Sequence, residues 1–371
     1  MKVLTLIGTR PEIIKLSRVL AKLDENVDHV IVHTGQNYDY ELNKIFFDEL
    51  EIRKPNYFLN AASTGAIETI SNVLVKVDEV LETEKPDALL LLGDTNSGLG
   101  IIAAKKRKIP IFHMEAGNRC FDQRVPEEVN RKIIDHLSDI NMPYSSIARE
   151  YLLSEGLPPD QIIKTGSPML EVLSFYKEKI ESSQILKTLN FETNKYFVLS
   201  THREENVDQP EKLKEACAIL NVLCETYKYP ILFSLHPRTQ NRLEKLNVKL
   251  HPLVQIMKPL GFFDYIHLQQ NAFCVISDSG TITEESSILR FPAINIRDAH
   301  ERPEGMEEGA VILTGINLKA ILDSIKYVTS DLSKFQPREI VKDYNVTNVS
   351  DKVLKIIFSY TSFVNNRVWK K

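Results

Sequence analysis

The sequence predicts an α/β protein of two doubly wound Rossmann-like domains. Three observations carry this. Short apolar runs alternate with amphipathic helical stretches along nearly the whole chain. The runs are apolar on both faces, as parallel strands buried between helix layers are. Nearly every polar or glycine-containing cluster stands at the carboxyl end of a predicted strand, where open α/β sheets bind ligands. Chance surface loops have no reason to prefer one end of the strands.

The first series opens with a strand over Lys2–Ile7. After Gly8-Thr9-Arg10, Pro11 suits a helix start, where its missing N–H costs nothing. Ile13, Ile14, Leu16, Val19, Leu20 and Leu23 then share one helical face. His29–His33 is a second strand, ending in Thr34-Gly35-Gln36, and residues 66–83 read as a helix. Ala88–Leu92 is a third strand, ending in Gly93-Asp94-Thr95; the small and apolar residues Ser97–Ala104 follow as a closely packed helix. Ile109–Phe112 is a fourth strand. Ile140–Pro143 and Ile162–Lys164 are two shorter ones, the second ending in Thr165-Gly166-Ser167-Pro168.

The second series begins after a polar crossover near 168–195. Its strands are Tyr196–Ser200, Ile231–Leu235, Val254–Met257, Phe273–Ile276, Ala293–Ile296 and Val311–Leu313. The loops that follow carry His202, His236, Gly261, Ser277–Gly280, the Arg297–Glu304 stretch and Gly315. Two such domains facing each other would bring the clusters into one cleft.

Composition narrows the class. The chain has 371 residues, about two domains at roughly 150 residues each. Lys+Arg number 46 and Asp+Glu 50, a net charge of −4, so bulk charge provides no footprint for nucleic acid or an anionic membrane. Cys120, Cys217, Cys224 and Cys274 are dispersed, which indicates neither a zinc site nor a disulfide framework and fits a reduced cytoplasmic protein. The apolar run at the N-terminus is too short for a signal peptide, and no run approaches the roughly 20 residues of a membrane span.

The stretch 113–131 concentrates the chemistry: Glu115, Glu127 and Glu128 lie among Arg119, Arg124 and Arg131 just past a strand end. It reads either as a site for anionic substrate and proton transfer or as a solvated loop laced with salt bridges. Gly8–Glu12 joins a strand to a helix whose exposed N–H groups favour phosphate, with Arg10 as a charged donor; an ordinary βα turn would look the same. Ser277–Ser287 is more specific. A glycine-containing turn opens a helix, presents bare N–H groups to an anion, and places Glu285 to accept from ribose hydroxyls. A capping box with Ser279 or Thr281 as N-cap explains part of it. Walker A, GxGxxG and G-x-S-x-G motifs are all absent.

These pieces together resemble the non-hydrolysing UDP-N-acetylglucosamine 2-epimerases. The matching segments are Gly8–Glu12, His33–Gln36, Gly93–Thr95, His113–Gly117 with Arg119, Pro126–Arg131, His202–Asn206, His236-Pro237, Ser277–Gly280 with Glu284-Glu285, and Glu301–Glu304. They run in family order over almost the whole chain. The resemblance implies a fold like the GT-B glycosyltransferases. An N-terminal domain over 1–168 would carry the catalytic carboxylates, and a UDP-binding domain would span 169–350. A C-terminal helix within about 351–371 would cross back to the first. It implies UDP elimination from C1 with removal of the C2 proton, then re-addition to the glycal with the proton on the other face. Diphosphate must be stabilised as it departs, and acid/base groups must reach both faces of C2.

On that resemblance Asp94, Glu115 and Glu127 are the catalytic carboxylates, and Glu128 is structural. Arg10, His202, His236, Tyr265, Ser279, Gly280, Thr281, Glu285 and Arg302 hold UDP, with Tyr265 against uracil. Arg119 and Arg131 position the acids or the substrate. No metal or other cofactor is required, since no net redox change occurs, and a homodimer is the family expectation. Within the family the chain is closest to the branch converting UDP-2-acetamido-2,6-dideoxy-L-talose to UDP-N-acetyl-L-fucosamine, a capsule and O-antigen precursor. Asn118 in place of Leu, Thr281 in place of a second Gly, and Asn37-Tyr38-Asp39-Tyr40 after Thr-Gly-Gln carry that choice. The rivals are the UDP-N-acetylglucosamine/UDP-N-acetylmannosamine and UDP-N-acetyl-L-rhamnosamine 2-epimerases, a hydrolysing epimerase, a non-catalytic nucleotide-sugar sensor and a GT-B glycosyltransferase.

Overall fold

The computed structural model describes residues 1–35, 40–201, 210–235, 237–246, 248–330 and 339–371. The expectations for Gln36–Asp39, His202–Asn206 and His236 lie outside these residues. The described chain forms two compact units, Met1–Phe175 with Asp343–Lys371, and Tyr176–Lys342.

The first unit has strands β1 (Lys2–Ile7), β2 (Asp28–His33), β3 (Tyr57–Phe58), β4 (Ala88–Leu92), β5 (Ile111–Met114) and β6 (Ile140–Met142). They form one parallel sheet in the order β3-β2-β1-β4-β5-β6. Its helices are α1 (Arg10–Asn26), α2 (Tyr40–Glu49), α3 (Ala66–Glu84), α4 (Ile101–Lys106), α5 (Pro126–Leu137), α6 (Ser146–Ser154) and α7 (Met169–Phe175). Leu4, Leu6, Leu89 and Leu91 turn one way from the sheet and bury against Val73 and Val77 of α3. Each such side chain removed from water is worth about 1.5–3 kcal/mol. Residues 96–100 form a 3-10 turn before α4, so the expected Ser97–Ala104 helix begins tighter than predicted. Ile162–Lys164 is not a strand of the sheet; Ile162 makes a single bridge to Asn141.

The second unit has short helices α8 (Lys177–Glu181) and α9 (Ile185–Leu189), then strands β7 (Phe197–Ser200), β8 (Ile231–Ser234), β9 (Val254–Met257), β10 (Cys274–Ser277), β11 (Ala293–Asn295) and β12 (Ile312–Leu313). These are again parallel, in the order β12-β11-β10-β7-β8-β9. The helices that follow are α10 (Pro210–Tyr227), α11 (Pro237–Lys245), α12 (Phe262–Gln270), α13 (Ile282–Leu289), α14 (Pro303–Glu307) and α15 (Leu318–Thr329). Phe197, Leu199, Phe233 and Ile276 bury against Leu220, Leu223 and Ile325, and Val198, Leu232 and Val275 bury on the other face against Leu268 and Ile282. Cores on both faces are what the doubly apolar runs required.

Helix α16 (Val349–Val364) returns to the first unit and packs against α1. Ser350 N–H donates to Glu171 Oε2 at 2.9 Å, Lys352 Nζ to Thr165 O at 2.9 Å, and Lys164 Nζ to Asp343 Oδ1 at 2.6 Å. Among the described residues no helix is long and apolar enough to cross a membrane.

Both sheets have the same strand order. In each, the direction of winding reverses between the first and fourth strands, β1/β4 and β7/β10. Doubly wound sheets bind ligands outside the carboxyl ends at that reversal.

Candidate active site

In the first unit the reversal point carries the turns Gly8–Arg10 after β1 and Gly93–Thr95 after β4, with Glu115 after β5. Gly8 has no room for a Cβ, which would stand 1.9 Å from Ser97 Oγ and 2.7 Å from Thr34 Oγ1. Those two hydroxyls are hydrogen-bonded at 2.7 Å, so the ends of β1, β2 and β4 are drawn together. Arg10 begins α1, with its guanidinium 5.9 Å from the Phe46 ring centroid.

Glu115 leaves β5 with φ +64, a left-handed backbone that an L side chain adopts at a cost. Its Oε2 accepts from Lys15 Nζ at 2.8 Å, and Asn118 Nδ2 approaches Oε1 at 3.4 Å. Lys15 also lies 5.4 Å from the Tyr144 ring centroid. The Lys15 side chain is 2% exposed and that of Glu115 13%, so the cation is sealed beneath an acid that faces outward. Asp94 repeats the pattern. Its Oδ2 accepts from Arg131 Nε at 3.0 Å and Nη2 at 2.8 Å; the arginine side chain is 3% exposed and the acid 24%. Removing the acid from such a pair leaves an uncompensated buried cation, at a cost of about 3–5 kcal/mol.

Helix α5 supplies Arg131, and Pro126 at its first turn sets where it begins. Arg131 Nη1 also donates to Glu128 Oε2 at 3.1 Å. Glu128 is fully buried and accepts from Cys120 N–H at 3.1 Å and Phe121 N–H at 3.2 Å, pinning the 118–125 loop to the helix. Glu127, its neighbour, is half-buried in the same first turn.

Arg119 is buried, and its fork is committed inside the unit. Nε and Nη2 donate to the two oxygens of Glu155 at 2.7 and 2.6 Å, and Nη1 donates to Asp135 Oδ2 and Asn118 O at 2.7 Å each. Asp135 also accepts from Gly117 N–H at 3.2 Å and lies 3.0 Å from His113 Nδ1, while His113 Nε2 donates to Gly93 O at 2.9 Å. This buried lattice fixes the strand ends on which Asp94 and Glu115 stand.

In the second unit the reversal point carries Ser200-Thr201 after β7 and Asp278–Thr281 after β10. Ser200 Oγ and Ser277 Oγ are 2.8 Å apart, Thr201 Oγ1 donates to Asp278 Oδ2 at 2.6 Å, and Tyr265 OH donates to Ser200 Oγ at 3.0 Å. Burial pushes the Tyr265 phenol well above its usual range, and the Glu285 charge adds to that. Glu285, one turn into α13, is buried and accepts from Gln269 Nε2 at 2.8 Å. Arg302 Nε donates to Gly280 O and lies near Glu284 Oε2, both at 3.2 Å, which braces the turn from behind.

Ser279, Gly280 and Thr281 are the partly exposed residues at this helix start, while Asp278 and Ile282 on either side are buried. The expectation of bare amides needs correction here. Ser279 N–H donates to Ser277 Oγ at 3.0 Å and Thr281 N–H to Ser279 Oγ at 3.3 Å. Thr281 stands at the N-cap with a helical backbone and no side-chain cap bond, so the capping hydroxyl is that of Ser279.

Sequence reading quoted Glu12 and Thr95 within motif segments without giving them a role, and passed over Lys15. A signal existed for two of them. Glu12 and Lys15 fall on the same face of α1 as Leu16, Val19, Leu20 and Leu23, where a charged side chain must find a buried partner.

The fold is that of a two-unit α/β protein of the GT-B-like class, with paired acids at the strand ends of one sheet and a helix-start turn at those of the other. Comparison with known proteins makes this specific. The family model described as UDP-N-acetylglucosamine 2-epimerase matches residues 21–358. The chain belongs to this family, and its enzyme class is that of the UDP-sugar 2-epimerases, which are isomerases. It is similar to the solved UDP-N-acetylglucosamine 2-epimerase from Rickettsia bellii, with TM-score 0.92, 49% identity and 100% of both chains covered. The Methanocaldococcus jannaschii UDP-GlcNAc 2-epimerase, solved in complex with UDP-GlcNAc and UDP, has TM-score 0.90 and 35% identity over 97% of this chain and 100% of that one. The UDP-2,3-diacetamido-2,3-dideoxy-D-glucuronate 2-epimerase of Pseudomonas aeruginosa is 35% identical over 88% of this chain and 92% of its own.

Proposed function

We propose that the chain is a non-hydrolysing C2 epimerase of a UDP-N-acetylamino sugar. A carboxylate takes the C2 proton as the C1–O bond to UDP breaks, leaving a glycal. UDP then re-adds at C1 while a proton returns to the opposite face of C2. Carbon oxidation states balance, so no external oxidant enters.

The observation that carries this reading is the pair of outward-facing acids set on buried cations, Glu115 on Lys15 and Asp94 on Arg131. A base must be held in place and reachable, and both acids are fixed by a buried partner while remaining partly exposed. Glu115, Asp94 and Glu127 are assigned to proton transfer at C2. Arg119 and Arg131 position them, since both guanidinium groups have partners inside the unit. Arg10, His202, His236, Tyr265, Ser279, Gly280, Thr281, Glu285 and Arg302 are assigned to UDP, with Glu285 and Arg302 acting from behind the turn.

For the sugar we propose UDP-2-acetamido-2,6-dideoxy-L-talose, epimerised to UDP-N-acetyl-L-fucosamine for capsule or O-antigen synthesis by a cytoplasmic homodimer. Asn118 and Thr281 support this, and Asn118 lies against the Glu115 carboxylate. The UDP-N-acetylglucosamine/UDP-N-acetylmannosamine pair is the second reading, supported by the Rickettsia bellii and Methanocaldococcus jannaschii relatives.

Incubation with each UDP-sugar in heavy water, followed by NMR at C2, tests both. Deuterium at C2 with UDP still attached is the expected outcome. Release of free sugar would establish hydrolysis, and absence of exchange from every UDP-sugar tried would overturn the epimerase reading. The sugar that exchanges fastest settles the substrate, and light scattering of the purified enzyme reports the dimer.

A further inference from the structure

Glu12 lies in the first turn of α1, 3% exposed, and the proton-transfer scheme does not use it. Its two carboxylate oxygens have three donors. Oε2 accepts from Gly8 N–H at 2.6 Å; Oε1 accepts from Thr9 Oγ1 at 3.0 Å and from Thr95 Oγ1 at 2.8 Å. The first two contacts are local and belong to the helix start, where a glutamate at the third position commonly reaches back. The third is not local. It crosses 83 residues to the turn that follows β4.

The residues flanking this contact matter. Thr9 adjoins Arg10, and Thr95 adjoins Asp94. One buried carboxylate therefore joins the turn bearing a cation assigned to the diphosphate to the turn bearing an acid assigned to C2. A helix cap alone needs no such contact, and a buried carboxyl with no function to serve is costly to keep. Burial pushes the Glu12 carboxyl up to about 7, against the pull of hydrogen bonds from Thr95, Gly8 and Thr9. Protonation need not break the tie, because a threonine hydroxyl can turn from donor to acceptor.

We propose that Glu12 is a positioning residue for the epimerisation, fastening the Arg10 turn to the Asp94 turn through Thr95; this rests on the functional reading above. The geometry makes a distinctive demand. Glutamine reproduces the tie, accepting from Gly8 N–H and donating to the hydroxyls, whereas alanine removes it.

The test compares wild type, Glu12→Ala, Glu12→Gln, Thr95→Val and the Ala/Val double variant. Steady-state epimerisation is measured with UDP-2-acetamido-2,6-dideoxy-L-talose and with UDP-GlcNAc, and UDP affinity by calorimetry. Glu12→Ala should lower kcat about tenfold to hundredfold while KM and UDP affinity change by about twofold or less. Glu12→Gln should stay within about threefold of wild type, and the double variant should be no worse than Glu12→Ala, since both remove one tie. Undiminished kcat in Glu12→Ala overturns the proposal, as does Glu12→Gln failing as badly as Glu12→Ala. If Glu12→Ala loses its thermal transition, Thr95→Val decides: a lowered kcat in the folded variant supports the tie, and a wild-type kcat overturns it. A wild-type enzyme that exchanges no C2 deuterium overturns the functional reading and this proposal together; an active wild type with an equally active Glu12→Ala overturns this proposal alone.

Discussion

Lys15 Nζ stands 2.8 Å from Glu115 Oε2, the cation sealed within the unit and the acid partly exposed. The helix that follows the first strand thus reaches under the end of the fifth. The contact joins residues 100 apart in sequence, and it explains why a left-handed glutamate is kept where glycine would sit without strain.

Glu115→Gln should abolish epimerisation, by about a hundredfold or more, while UDP still binds. Thermal unfolding provides the control. Lys15 keeps an amide oxygen as acceptor but loses its counter-charge, so a loss near the lower end of about 3–5 kcal/mol is expected. Full turnover in the variant would remove Glu115 from the chemistry.

Asn118→Leu tests the sugar assignment. The amide lies 3.4 Å from Glu115 Oε1, so leucine removes a polar contact at the candidate base without touching the Lys15 pair. The ratio of kcat/KM for the 6-deoxy-talose substrate over UDP-GlcNAc should fall by about tenfold. An unchanged ratio would separate Asn118 from substrate choice.

Glu12 predicts a pH dependence of stability with a definite sign. Its carboxyl is raised from 4.5 to about 7 in the folded state, so the native protein holds this proton more tightly than the unfolded chain. Stability from this source is full below 4.5, declines as pH rises, and is gone above about 7. Wild type should therefore lose up to about 3 kcal/mol relative to Glu12→Gln between about pH 5 and pH 8, measured by urea unfolding at each pH. A difference that is flat with pH, or that grows, would refute the raised carboxyl.

Gly117→Ala should destabilise the first unit by about 2–4 kcal/mol. Gly117 has φ +82, and an added Cβ would stand 2.4 Å from the carbonyl oxygen of Ala148, a backbone atom that cannot swing aside. A shift in denaturation midpoint checks this. A neutral substitution would mean that β5 and α6 can separate more easily than their packing implies.

How much of this was legible in the sequence follows from what kind of signal each feature leaves. Lys2–Ile7, Ala88–Leu92 and Val254–Met257 were readable to the residue, because each is a short, largely apolar stretch that ends at turn residues. Ile162–Lys164 carries the same local pattern yet makes one bridge, since strand pairing depends on a neighbour that local pattern does not specify. Glu115, Asp94 and Glu127 were legible as strand-end and helix-start acids, and Glu128 as their structural neighbour. Arg131, which pairs with Asp94, was named as a positioning residue; Lys15, which pairs with Glu115, was not. Glu12 and Lys15 stand on the apolar face of α1, which signals burial, but what they meet there follows only from the sheet order that brings β1 beside β4 and β4 beside β5. The Ser279 hydroxyl likewise competes for amides that sequence alone leaves open to an anion.

The division of the chain has a consequence for how the protein is made. Residues 176–342 form the second unit from one continuous segment, whereas the first needs residues 343–371 to cover α1 and to meet Glu171 and Lys164. A ribosome delivers the N-terminal sheet early and its last helix late. The second unit can close as it emerges, while the unit holding the paired acids stays unfinished until residues 343–371 follow. Until those residues arrive, the flank of α1 that the last helix covers stays exposed on the nascent chain.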